Sequence, residues 1–158
     1  MTKRSLLIIV LTLLSFASVA AQSAADVKVT GSVTPAKVKK GRIVRAVVTL
    51  DIPAALHVQS NRPLDKFLIA TNLDVEAPQG LQVGPVSYPR AVLRTFNFSK
   101  NQVAVYEGRA MIRFNITVPQ NYSGGSADIR ARLRFQACNN NSCFPPVTRD
   151  VEMSLNVQ

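Results

Sequence analysis

From Ile129 to Ala137 the side chains alternate without a break. Ile129, Ala131, Leu133, Phe135 and Ala137 fall on one side, Arg130, Arg132, Arg134 and Gln136 on the other. A pleated strand sends successive side chains to opposite faces, so this pattern gives one apolar and one wet surface; a helix would spread the arginines around its circumference. Arg109 to Val118 repeats it, with Ala110, Ile112, Phe114, Ile116 and Val118 predicted inward and Met111, Arg113, Asn115 and Thr117 outward. Val27–Val33 and Arg42–Ile52 also read as strands, the latter burying Val44, Ala46, Val48 and Leu50. Shorter extended stretches are expected at 56–60, 67–69, 73–77 and 81–88, the last interrupted by Gly84-Pro85 as suits a sheet edge. Ala21–Asp26 reads as a loose leader and Pro35–Gly41 as a basic turn; Asn61-Arg62-Pro63, Pro78-Gln79-Gly80 and Ser123–Ser126 supply further turns. Strands at roughly 8–14-residue spacing with no helical period predict an all-β chain, an immunoglobulin-like antiparallel β-sandwich. There is no Trp, and both cysteines lie in one stretch, so the intersheet Cys…Trp…Cys pattern of antibody domains is absent.

Ahead of this domain, positions 1–20 read as a signal peptide. Lys3 and Arg4 form a positive end, Leu6–Leu14 an apolar core broken only by Thr12, and Ser18-Val19-Ala20 a small-residue cleavage site. The apolar run is shorter than the ~20 residues a spanning helix needs. Cleavage near Ala20 would leave 21–158 as a single exported domain, in the oxidising setting that a cysteine bridge requires. Removing Lys3 and Arg4 from the 19 basic side chains leaves 17 against 9 acidic ones, a net charge near +8. Those charges are scattered singly along strands and form no reading motif for nucleic acid, so no nucleic-acid partner is expected. They describe a solvated face attractive to acidic surfaces.

The two cysteines, Cys138 and Cys143, are separated by Asn139-Asn-Asn-Ser142, a turn-forming run between the strand that ends at Ala137 and an alternation that resumes with Val147, Val151, Met153, Leu155 and Val157. Facing residues at the end of an antiparallel pair lie about 4.5–5.5 Å apart at Cα, within disulfide range. A bridge closing so short a loop contributes roughly 2 kcal/mol by chain entropy, near the low end for a disulfide. Two readings therefore stand side by side. One is a structural bridge of the kind common in exported β domains; the other is a reactive couple open to an incoming thiolate at an exposed tip. Arg130, Arg132 and Arg134 share parity with Cys138; on a common face their field would favour its thiolate.

The run Phe135-Gln-Ala-Cys138…Cys143-Phe-Pro-Pro146 resembles the signature of the N-terminal (alpha) domain of the thiol:disulfide interchange protein DsbD. Leu56-His-Val-Gln-Ser-Asn-Arg-Pro63, continuing to Ile69, is similar to that family's His-x-x-Ser-Asn-x-Pro segment, and Val105-Tyr-Glu-Gly108 is a third matching block. The blocks occur in the family's order and span about Val27 to Val157. The resemblance implies the same immunoglobulin-like fold and a periplasmic interchange module. Cys138 and Cys143 would be its redox couple, a protein-disulfide reductase-type activity if it acts as an enzyme. It implies that Cys143 forms the intermolecular bond and Cys138 resolves it, with thioredoxin-fold proteins as partners and neither a cofactor nor a small-molecule substrate. It further implies a cap loop whose aromatic ring shields the disulfide; Phe96 and Phe98 both qualify by position, against the plainer reading of a strand that buries both. Where a family member carries acidic residues before that ring, this chain has Arg94 and Thr95. The full interchange protein continues into a membrane-embedded and a thioredoxin-like domain. As a stand-alone exported chain, this one is expected to draw electrons from another protein, a membrane-embedded donor among the candidates. A copper- or haem-maturation helper, as in cytochrome c maturation, would use the same thiols. The rival is a non-enzymatic exported β-sandwich binding module with a structural disulfide.

The remaining constellations are weaker. His57, the single histidine, lacks companions for zinc or for a hydrolase triad, so no metal site is expected and the imidazole is read as a local hydrogen-bonding group. Four short glycosylation-type sequons, at Asn97, Asn115, Asn121 and Asn140, are discounted as chance matches.

Overall fold

The computed structural model describes residues 23–158, so the signal peptide expected at 1–20 lies outside the described residues. The described residues form twelve strands. They are β1 (Lys28–Thr34), β2 (Lys37–Val38), β3 (Ile43–Asp51), β4 (His57–Gln59), β5 (Asn72–Glu76) and β6 (Gln82–Val83). After them come β7 (Val92–Arg94), β8 (Val103–Tyr106), β9 (Arg109–Thr117), β10 (Ser126–Phe135), β11 (Ala137–Cys138) and β12 (Val147–Val157). Among the described residues no helix is long and apolar enough to cross a membrane.

Two four-stranded sheets, β1-β3-β9-β6 and β2-β12-β10-β5, form an immunoglobulin-like sandwich. All pairings in them are antiparallel except β2 with β12. The period-two reading holds here. Val44, Ala46, Val48 and Leu50 of β3 and Ala110, Ile112, Phe114 and Ile116 of β9 share one buried cluster with Ile129, Ala131, Leu133 and Phe135 of β10 and Val151, Met153 and Leu155 of β12. Register follows from that burial, because a one-residue slip would turn every apolar side chain to water. Gly31 sits where β1 crosses β12: a Cβ there would lie 2.4 Å from Val151 and 2.9 Å from Met153, so only glycine lets the sheets approach this closely.

Three short segments differ from the sequence expectation. The basic turn at 35–41 contains β2, which adds in parallel to β12 and buries Val38; two residues are too few to show a period. The 67–69 segment is part of a turn, with Phe67 N–H donating to the Asp65 carboxylate and Leu68 N–H to the Asp65 carbonyl. Within the supposed leader the Ser23 side chain caps a single 3-10 turn (Ala24–Asp26), and Ala24 and Val27 join the core.

A third sheet, β11-β4-β8-β7, closes one end of the sandwich and carries the cysteines. β10 feeds it directly, since Gln136 separates Phe135 from β11. β8 is buried on both faces: Tyr106 joins the main core, while Val103 and Val105 pack with Phe96, Leu68 and Phe98 in a smaller cluster. A short strand covered on both sides reads as a continuous apolar run, which is the Val-Ala-Val-Tyr of this chain.

Candidate functional site

The β10–β12 ladder ends at Phe135 opposite Val147, and the hairpin then narrows to a tip. Phe144 N–H donates to the Ala137 carbonyl at 2.9 Å, and Asn139 N–H donates to the Ser142 carbonyl at 2.9 Å. The Asn139 side-chain oxygen accepts from Asn141 N–H and Ser142 N–H, both at 2.9 Å, as the Asn-rich turn leads one to expect. Within this tip Cys138 and Cys143 are joined by a disulfide, their Cα atoms 3.9 Å apart, closer than at the end of a regular ladder.

The sulfurs are unequally placed. Cys138 is completely buried, on a strand paired with β4 where it stands opposite His57, whereas Cys143 is only half-buried. The bridge is thus less exposed than the tip position alone suggests. Arg130, Arg132 and Arg134 lie on the exposed face of β10, but the alternation breaks at Gln136, and Ala137 and Cys138 are both buried. Arg130 and Arg132 face acidic partners on β12, Glu152 at 3.2 Å and Asp150 at 3.0 Å. Their charge is spent across the β10–β12 ladder.

Polar side chains brace the hairpin. Gln136 accepts from Ile69 N–H at 2.9 Å and donates to the Phe144 carbonyl at 3.2 Å, tying the turn after β4 to the Pro145-Pro146 exit. His57 Nδ1 donates to Glu107 Oε1 at 2.9 Å, and its Nε2 lies 3.3 Å from Oδ1 of Asn140 in the hairpin tip. Arg94 grips the same carboxylate with two hydrogen bonds, Nε to Oε1 at 2.9 Å and Nη2 to Oε2 at 2.8 Å. His57 is the local hydrogen-bonding group the sequence reading expects; the Arg94–Glu107 part of the relay joins residues 13 apart that no motif pairs.

The Arg94 hydrogen bonds hold the Glu107 carboxyl below the usual carboxylate range; partial burial opposes this and the His57 hydrogen bond assists it. A depressed folded pKa contributes stability that is complete above the ordinary glutamate value of about 4.3 and is lost as pH falls through the lower folded value. Denaturant midpoints measured from about pH 6 down to about pH 3 should therefore fall less steeply for Glu107→Gln than for the native chain. Parallel curves would mean the relay carries no net stability.

The segment after β7 is a loop, not a strand. Phe96 is buried, its ring edge-on to His57 at 4.7 Å and stacked on Phe98 at 5.1 Å, while Phe98 is half-buried. Between them Asn97 N–H donates to the Asn140 carbonyl at 3.0 Å, and the Asn97 side chain donates to Asn141 at 2.8 Å. The loop is thereby fastened to the hairpin tip. Beside it Phe67, Leu68 and Phe98 line an open groove, with Phe67 79% exposed.

Gln59 is the residue that sequence reasoning passed over. It lies in the matched 56–69 block, but a period-two reading turns it away from the core that Leu56 and Val58 enter. In the third sheet both faces are covered, and Gln59 is completely buried. Its side-chain Nε2 donates to Cys138 Sγ at 3.2 Å and lies 3.9 Å from Cys143 Sγ.

Residues 24–155 match the family model described as thiol:disulfide interchange protein DsbD, N-terminal. Among solved structures the chain is similar to the reduced DsbD N-terminal domain of Neisseria meningitidis, at 18% identity and a TM-score of 0.44 over 70% of this chain and 77% of that one. It is also similar to the N-terminal periplasmic domain of ScsB from Proteus mirabilis, at 11% identity and a TM-score of 0.49 over 82% of this chain and 45% of that one. A non-cellulosomal cohesin from Archaeoglobus fulgidus gives 12% identity and a TM-score of 0.45 over 83% of this chain and 91% of the cohesin. No curated protein sequence matches.

Proposed function

The chain belongs to the family of the DsbD N-terminal domain, and from that premise we propose that it is a periplasmic thiol–disulfide exchange module, residues 21–158 after export, working through Cys138 and Cys143. The observation that supports the reading is the unequal burial of the two cysteines, Cys138 completely buried beside β4 and Cys143 half-buried at the hairpin tip. Exchange needs a thiolate to approach one sulfur while the other departs. A thiolate of a thioredoxin-fold donor attacks Cys143 Sγ, the bridge breaks, and Cys138 leaves with the electron pair. The donor's second thiol then attacks its own sulfur in the mixed disulfide and releases Cys143. The donor is left oxidised and the couple holds two electrons. Passing them on reverses the sequence: Cys143 attacks the acceptor's disulfide, and Cys138 resolves the adduct. The donor is a thioredoxin-fold domain, on its own or carried by a membrane-embedded protein.

Phe96 is the ring proposed as the cap, because it is buried against His57 in a loop fastened to the tip, and Phe98 backs it. Shielding of this kind slows, without preventing, attack by small thiols at Cys143 and is relieved when a docking protein moves the loop.

Equilibration against a dithiol buffer tests the reading against a structural bridge in a binding module. A potential in the thioredoxin region, about −270 mV, is expected; one well below about −300 mV would identify a permanent bridge and sink the proposal.

A further inference from the structure

Gln59 presents two facts that a merely space-filling side chain would not. It is a fully buried amide whose Nε2 donates to both sulfurs of the bridge, more closely to Cys138 at 3.2 Å than to Cys143 at 3.9 Å. Its Oε1 is buried with no hydrogen-bond partner, the one such side-chain atom among the described residues. An unpaired buried carbonyl costs free energy, and its persistence calls for an explanation. The backbone of Gln59 leaves it little freedom to move. Its N–H donates to the Gln136 carbonyl at 2.9 Å, its carbonyl accepts from the Thr71 hydroxyl, and the residue pairs with Val105.

We infer that Gln59 stabilises Cys138 as the departing sulfur and thereby directs incoming thiolates to Cys143. In the disulfide the amide hydrogen meets a weak, neutral acceptor. When the S–S bond breaks under attack at Cys143, the electron pair goes to Cys138, and the same N–H then faces an anionic sulfur, a much stronger partner. Attack at Cys138 would place the new charge on Cys143, farther from the donor. Once Cys138 takes a proton, the amide turned over offers Oε1 to the S–H, and the orphaned carbonyl gains the donor it lacks. In the thiolate the N–H gains a stronger acceptor, while the carbonyl finds a donor only in the thiol. Gln59 therefore biases the bridge toward reduction chiefly through the N–H bond to the thiolate. This rests on the exchange reading above; the overall step is unchanged, with two electrons supplied by the dithiol donor.

The test uses the whole domain with dithiothreitol as the probe and Gln59→Met, close in size but without a donor, beside the native chain. Reduction of Gln59→Met is expected to be about 10–100-fold slower, the size of a hydrogen bond to a charged group. The Cys138 thiol pKa, read in a Cys143→Ser background, should rise when Gln59→Met is added. Gln59→Glu, with an acceptor in place of the donor, should raise it further, an ordering that loss of packing does not produce. A third measurement needs no substitution at Gln59: the side-chain amide resonances of the native residue should shift on reduction. Unchanged rates and pKa in a folded Gln59→Met chain, or unmoved native amide resonances, overturn the inference while leaving the exchange reading intact. If the native bridge resists the dithiol altogether, both fall together.

Discussion

A Cys138→Ser chain, mixed with an oxidised thioredoxin-fold protein, accumulates a one-to-one covalent adduct through Cys143, whereas Cys143→Ser gives little or none. The physical basis is access. Thiol–disulfide exchange proceeds through a mixed disulfide formed at whichever sulfur the partner can approach, and completely buried Cys138 offers no approach. In the native chain the adduct is short-lived because Cys138, bonded to Cys143 in the oxidised state, is in place to attack it. Serine in its place has no sulfur to expel the partner, so the intermediate stops there. Non-reducing electrophoresis followed by mass mapping of the bridged peptides reads the result. An adduct through Cys138 in the Cys143→Ser chain would reverse the proposed polarity. No adduct from either variant would favour the structural bridge and a binding module.

Phe135→Ala is expected to cost about 3–5 kcal/mol, the range for emptying a buried phenylalanine site. Phe135 is fully buried, ends β10 opposite Val147, and is the last residue before the chain passes through Gln136 into the cysteine sheet. Against the ~5–15 kcal/mol that holds a typical domain, that loss is large. The urea midpoint should fall with an unchanged slope, because the surface exposed on unfolding is nearly the same. Arg134→Ala, one residue earlier on the exposed face, should stay within about 0.5 kcal/mol. A Phe135→Ala loss below about 1 kcal/mol would mean that the junction collapses around the gap and that β10 does not hold the hairpin as described.

The contrast between neighbouring residues 134 and 135 shows what kind of information the sequence carried. Burial alternates along β9, β10 and β12 because each has one wet face and one core face, and a period of two records that division directly. The cysteine hairpin was legible for a related reason: an Asn-rich turn between two alternating strands leaves few other geometries. What escaped were segments covered on both faces or stabilised by distant residues. β2 is a two-residue strand that exists only because β12 lies beside it. Gln59 reads as a solvent-facing polar residue, yet the third sheet is enclosed and turns it into a ligand of the sulfur. Glu107, between β8 and β9, binds His57 of β4 and Arg94 of β7, partners that no local pattern names.

Taken alone, the order of residues determined an all-β sandwich, the inward faces of its long strands and the position of the two cysteines at a turn, since each is a local consequence of side-chain polarity and turn chemistry. Only the packed structure decided that Cys138 is completely buried while Cys143 is half-buried, that Phe96 lies buried against His57 in a loop tied to the hairpin, and that an amide from β4 touches the bridge. Those are contacts between segments tens of residues apart. No local pattern encodes them; they follow from which strands become neighbours when the core closes.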